Sequence, residues 1–323
     1  MTPETLDRLA PRVPASSALR TMRPTEVLDE ALRTYRILAP VLLRRSAVPA
    51  VLVLASVLFW TRAFGPRLFT TNAPGDVAAQ VGEAGLVLAA GLLVAGPLFV
   101  FGVTEGTLQA VALAGAYREG RWKGEAAAGA EARRAFPRAF GAGLLAFLTA
   151  SAIPVVSFAM MAFGGLLAAA TPAGDETPAF LAGVGGIGFF VGLIVAAWAG
   201  GAYALVPAAA LRGDGPRAAC GRSRRLMRGD ARVLGGGSTI WLVYFVLFIA
   251  ALAEWGGIAL VRDYVPFAKV APGGGLFSEA LGLASPFVVA WTLLPLWGTA
   301  VAVLDGERRV RKEGYDVELL SKG

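Results

Sequence analysis

Histidine is absent from the 323 residues, and cysteine occurs once, at Cys220. The commonest general base and metal ligand is therefore missing. A lone thiol builds neither a disulfide framework nor a thiolate zinc site. No GxxxxGK[ST] phosphate loop occurs, and the acids Glu119, Glu125, Glu131, Asp214 and Asp230 are scattered rather than clustered as a metal site requires. Carboxylates inside apolar runs are what remains, and Glu105 is the deepest of them. It stands in FGVTEGTLQAV, about 9 residues, or roughly 13 Å at helical rise, from the end of its run near Ala114. Thr104 and Gln109 flank it and extend a polar seam. Such a group suits a proton or cation site, or a contact for a substrate amine; the alternative is a carboxyl hydrogen-bonded between helices. Glu254 and Glu279 lie toward the far ends of two later runs and are expected at the surface. Asp305, beside the basic tail, is expected to pair with Arg308 or Arg309.

The elements that must position these residues are membrane helices. Hydrophobic residues make up 56% of the chain and charged residues 16%, and the mean hydropathy is +0.61. A soluble fold keeps too much surface in water for such a composition. Six stretches reach the roughly 20 apolar residues a helix needs to cross a bilayer: 47–64, 85–114, 139–170, 179–211, 234–261 and 277–304. They are continuously apolar and do not alternate as barrel strands do. The expected fold is an all-α polytopic bundle of three transmembrane hairpins. It is preceded by a cytoplasmic arm over 1–45, spans 46–305 and ends in a basic tail over 306–323. The glycine run at 183–188 lies in lipid, out of context for a dinucleotide fingerprint.

Orientation follows from the basic residues. Segments outside the runs on one side hold 26 of the 30 lysines and arginines, against 4 on the other. Short positive loops stay in the cytoplasm, so both termini are expected there and the first span is expected to act as the targeting signal. The segments before spans one, three and five look alike and align at Arg36, Arg134 and Arg225. Each reads as an amphipathic helix leading into a hairpin. In the first, Val27, Leu28, Ala31, Leu32, Tyr35 and Leu38 share one face, and Thr25 suits the N-cap. This helix either lies in the headgroup plane or packs under the bundle. Its basic cluster at Arg33 and Arg36 is expected to face anionic headgroups, as are Arg133 with Arg134, Arg224 with Arg225, and Arg309 with Arg311. The positive-inside pattern accounts for these charges without nucleic acid. Gly188, Gly192, Ala196 and Gly200, four apart, form a small-residue stripe for close helix packing, within the chain or between copies.

Three stretches carry a family resemblance. They are MRPTEVLDEALRTYRILAPVLL from Met22, the loop PAAALRGDGPRAACGRSRRLMRGDARVLG, and the tail RVRKEGYDVELL over 309–320. They resemble the "RPLsigEilDeaFrlYrrnf", "P.lvlEg.gp..AlrRSwrLtrG" and "DlRvRkEGfDlelL" signatures of one bacterial family. This is the family of the membrane domain of glycerophosphoryl diester phosphodiesterase and its stand-alone membrane relatives. The resemblance implies a multi-pass inner-membrane protein. The catalytic barrel of some relatives needs histidines and an acidic metal cluster, which this chain lacks. The expectation is a non-enzymatic accessory, scaffold or lipid-organising protein with no cofactor. Its expected partners are membrane lipids and a further membrane protein or a second copy. A permease using Glu105 is the alternative.

Overall fold

The structure, a computed structural model, describes residues 22–69, 90–170, 176–228, 236–264 and 274–313. Among these residues there is helix and no strand. Helix α1 is Pro24–Phe69; a π-helical turn, Gly91–Ala95, runs into α2, Gly96–Arg118. Then follow α3 (Glu125–Ala170), α4 (Thr177–Ala202), α5 (Val206–Leu211), α6 (Pro216–Met227), α7 (Gly236–Tyr264) and α8 (Gly274–Glu313). Six helical stretches are long and apolar enough to cross a membrane: Pro24–Phe59, Leu93–Arg118, Glu125–Met161, Gly183–Leu211, Thr239–Ile258 and Ala284–Glu313. The chain is thus an all-α, multi-pass membrane protein.

The amphipathic stretches and spans join differently from the expectation. α1 and α3 have 46 residues each, or about 69 Å of rod at helical rise. The amphipathic part and the span are therefore one uninterrupted helix in the first two units. Only the third unit keeps a separate amphipathic helix, α6, which ends where Arg228 turns extended at ψ 97°. Gly229 is the next residue in the sequence, and glycine is a poor helix former. At the start of α1, Thr25 is not the cap. It lies inside the helix, and the Arg23 N–H donates to Glu26 Oε2 at 2.8 Å.

The apolar face of α1 turns inward except at Leu32, on its edge, which is 37% exposed. Val27, Ala31 and Leu38 are at most 1% exposed and pack with Val111, Leu113, Val301, Val303 and Leu304. The headgroup-plane alternative is not adopted, because α2 and α8 offer this face a ready partner. Contact is close where side chains vanish. A Cβ at Gly298 of α8 would stand 2.5 Å from Ala110 Cβ and 2.8 Å from the Thr107 carbonyl of α2. A Cβ at Gly102 of α2 would stand 2.8 Å from the Pro49 carbonyl of α1. Three helices thus cross tightly at the centre.

The α3–α4 hairpin and α7 flank this centre. The small-residue stripe of α4 is spent inside the chain: a Cβ at Gly188 would meet Ser157 Oγ at 2.7 Å, and one at Gly192 would meet Pro154 N at 2.8 Å. Further along, Gly200 faces Tyr244 of α7, and Ala196 is half-buried. The opposite face of α4 presents Phe180, Ile187, Phe190, Ile194 and Trp198, each about two-thirds exposed. That face is suited to lipid.

The fourth run is not one helix. α4 stops at Ala202, residues 203–205 form a turn, and α5 resumes at Val206. Pro207, which has no N–H, stands in the first turn of α5. The break detaches the Leu205 N–H and the Ala202 carbonyl from the helical ladder. Ser223 of α6, fully buried, satisfies both: its hydroxyl accepts from Leu205 N at 3.1 Å and donates to Ala202 O at 2.9 Å.

Candidate functional site

The polar seam of α2 is built by helical phase. Thr104 is buried against α3, its hydroxyl 2.8 Å from where a Gly143 Cβ would stand. Glu105 and Gln109, one turn apart, point elsewhere and are half-buried. Gln109 Nε2 donates to Glu105 Oε1, while Gln109 Oε1 is buried and has no donor. The seam predicted from sequence therefore divides: Glu105 and Gln109 meet, and Thr104 serves the α2–α3 contact. Glu254 is not left at the surface. It is half-buried and accepts the Thr292 hydroxyl of α8 at 2.9 Å. The Glu279 side chain lies outside the described residues.

The densest charge lies at one end of the bundle, where α1 and α3 begin and α2 and α8 finish. Asp305, expected to pair within its own helix, is taken instead by Arg212 just beyond α5. The guanidinium grips it with Nη1 on Oδ2 and Nη2 on Oδ1, the latter at 2.8 Å. Burial pulls the Arg212 pKa down, but the hydrogen bonds and charge of Asp305 outweigh it and hold it above the ordinary value. Arg308 and Arg309 turn elsewhere. Arg308 lies 3.2 Å from Glu307, which is 2% exposed, and Arg309 lies 3.8 Å from Glu119 and 3.7 Å from Glu313.

Further pairs join more elements. Arg118 is buried, donates to the Ala302 carbonyl at 3.3 Å and stands 3.9 Å from Glu30 of α1. Arg222 of α6 pairs with Glu313 at 2.7 Å and Asp214 at 3.5 Å, and Arg311 pairs with Glu307 at 2.7 Å. Lys312 Nζ reaches the Arg225 carbonyl at 3.2 Å and also the Arg228 carbonyl. Seven arginines (118, 121, 212, 222, 308, 309, 311) meet six carboxylates (Glu30, Glu119, Asp214, Asp305, Glu307, Glu313). Most of these charges are thus spent on one another. The chemistry of the cluster is that of a lock on the helix ends.

The expected lipid-facing arginines sort into two groups. Arg33, Arg36, Arg133, Arg134, Arg224 and Arg225 are exposed. Arg224 lies over the Tyr203 ring at 5.6 Å, beside the break in the fourth run. Arg309 is a correction: it is 9% exposed and belongs to the internal network, because the last turns of α8 pack against α2 and α6. Arg311 remains exposed but is tied to Glu307 and to the Met22 carbonyl at 3.2 Å. Cys220 is buried, its thiol donating to the Ala142 carbonyl at 3.5 Å. Burial pushes its pKa up against the opposing effect of Arg224.

Sequence reasoning missed Ser223, Arg118 and Arg212. A serine among arginines reads as solvated loop, and the signal that marks it is the proline just past a turn in the preceding run. Among the described residues no three histidine, cysteine or carboxylate side chains converge as metal ligands. No family model, no curated protein and no solved structure matches the chain.

Proposed function

We propose that the chain is an inner-membrane protein of the phosphodiesterase-membrane-domain family, with both termini in the cytoplasm. In this reading it acts as a non-enzymatic accessory, scaffold or lipid-organising protein. One observation carries it. The charges at the end read as cytoplasmic divide into an internal set, paired largely with one another, and an outward set that is basic. Arg33, Arg36, Arg133 and Arg134 make no ion pair with any described residue. A surface held rigid from within and basic on its outside suits anionic headgroups or an acidic partner, at about 1 kcal/mol per arginine near an anionic leaflet.

The experiment is purification in mild detergent with quantitative lipid and protein mass spectrometry. The reading expects anionic lipid, or one stoichiometric membrane-protein partner, with wild type. Both should fall when the four unpaired arginines are changed to glutamine. Identical profiles for both forms would overturn it. The permease alternative draws on half-buried Glu105, and proteoliposome flux abolished by Glu105→Gln would favour it.

A further inference from the structure

α8 meets α1 and α7 at Thr292, and the meeting point gathers oxygen atoms. Both carboxylate oxygens of Glu254, on α7, lie 2.9 Å from the Thr292 hydroxyl. Tyr35 of α1 donates its phenol to the Thr292 carbonyl at 3.4 Å. The adjoining stretch of α8 is fixed from α1. Pro295 has no N–H, so the Trp291 carbonyl loses its helical donor. Ser46, 2% exposed, donates to that carbonyl at 3.0 Å, and Trp291 Nε1 donates to the Leu43 carbonyl at 2.6 Å. The oxygens at Thr292 therefore stand on a platform held in place by a second helix.

The group lies far from the charge cluster. Thr292 is 13 residues along α8 from Asp305, roughly 20 Å at helical rise. Glu254 is 4 residues, roughly 6 Å, inside the Ile258 end of its apolar span. The carboxylate is thus within the apolar zone, a short way from the end of the bundle opposite the charge cluster.

Glu254 is short of donors there. The Thr292 hydroxyl has one proton, and four acceptors compete for it. They are the two Glu254 oxygens, the Val288 carbonyl at 3.0 Å and the Val289 carbonyl at 3.3 Å. Among the described residues no other group donates to Glu254, and no lysine or arginine pairs with it. A half-buried carboxylate beside lipid is costly unless positive charge compensates it.

We propose that Glu254 and Thr292 bind a single alkali-metal cation. The hydroxyl turns its proton onto the Val288 carbonyl, the back-bond that threonine readily makes within a helix. Its oxygen then faces the ion together with both carboxylate oxygens, and water completes the shell. Oxygen donors of this kind suit a hard cation. One carboxylate cancels one positive charge, whereas a divalent ion would leave a surplus beside lipid. Tyr35 acts as a positioning residue through the Thr292 carbonyl.

This site is separate from the outward arginines that carry the proposed function, and its failure leaves that reading intact. The test measures saturable binding of radioactive sodium to the full chain in phosphatidylcholine nanodiscs, with N-methylglucamine as the balancing cation. Wild type is expected to saturate at one sodium per chain, displaced by unlabelled potassium and not by an equal concentration of calcium. Glu254→Gln should abolish binding, Thr292→Val should weaken it about tenfold, and Thr292→Ser, which keeps the hydroxyl, should retain it. No saturable binding by wild type, undiminished binding by Glu254→Gln, or displacement by calcium ahead of potassium would overturn the proposal. A second measurement needs no variant. Carbodiimide labelling of Glu254 in wild type, mapped by mass spectrometry, should fall when sodium replaces N-methylglucamine, and equal labelling in both would overturn the proposal.

Discussion

Arg212 and Asp305, 93 residues apart, form a two-pronged ion pair that fastens the end of the broken fourth run to α8. It is the best-aligned contact in a network reaching α1, α2, α6 and α8. Removing one partner of a buried pair leaves the other uncompensated, at a cost of roughly 3–5 kcal/mol. Asp305→Asn is therefore expected to lower the unfolding midpoint in detergent well below that of Glu131→Gln, whose residue is exposed and unpaired. The raised Arg212 pKa adds stability that is lost only as pH climbs through the folded value, above the ordinary arginine range. Between pH 5 and 9 Arg212 titration should therefore leave the midpoint unmoved, which thermal scans across that window check.

Ser223→Ala should loosen the break in the fourth run without touching lipid. Two buried backbone groups lose their partner, an expected cost of about 1–3 kcal/mol. Hydrogen exchange at the Leu205 amide is the direct readout, and it should accelerate while amides in α8 stay protected. Unchanged exchange at Leu205 would mean the hydroxyl is dispensable.

Close helix crossings give a third expectation. Gly298→Ala places a methyl 2.5 Å from Ala110 Cβ and 2.8 Å from a backbone oxygen, so α2 and α8 must part. Overpacking of this kind costs roughly 1–3 kcal/mol. Gly183→Ala, where nothing lies within 4 Å, is the matched control and should be neutral. Thermal midpoints of the two variants, measured side by side, decide the point.

Cys220 should be slow to react. Its thiol is buried and its pKa raised, so at pH 8 less thiolate is present and less is accessible. Maleimide labelling of folded protein is expected to run at least about tenfold slower than after unfolding. The raised pKa also means that Cys220 contributes stability below the ordinary thiol pKa and loses it as pH rises beyond that value.

The outward arginines supply a contrasting prediction. Arg33→Gln with Arg36→Gln should leave the midpoint within about 0.5 kcal/mol of wild type, since both residues are exposed and unpaired. The Arg118→Gln variant should not be tolerated in this way, since Arg118 is 5% exposed and bonded to the Ala302 carbonyl.

Much of the architecture was legible in the residues alone. Apolar run length is a local quantity, and so are six spans, helices rather than strands, and the lopsided distribution of 30 basic residues. The inward face of α1 was legible as amphipathicity, since Val27, Ala31 and Leu38 recur at helical spacing. Its destination was not: a stripe fits a lipid surface or a neighbouring helix equally well, and only the presence of α2 and α8 chose between them. The same holds for Gly188 and Gly192, whose spacing announced close packing while Pro154 and Ser157 named the partner.

Charge pairing was decided by tertiary structure for a related reason. Sequence proximity favoured Arg308 or Arg309 for Asp305. Side chains on a helix aim at whichever neighbour lies across the interface, and that depends on how α5 and α8 cross. Ser223 could not be valued before the break it fills was known, since a hydroxyl gains its worth from orphaned backbone groups far away in sequence. Composition and periodicity thus determined that the chain is a helical bundle in a membrane. Helix crossings alone decided which of its charges are buried, because burial belongs to pairs of elements and not to either one.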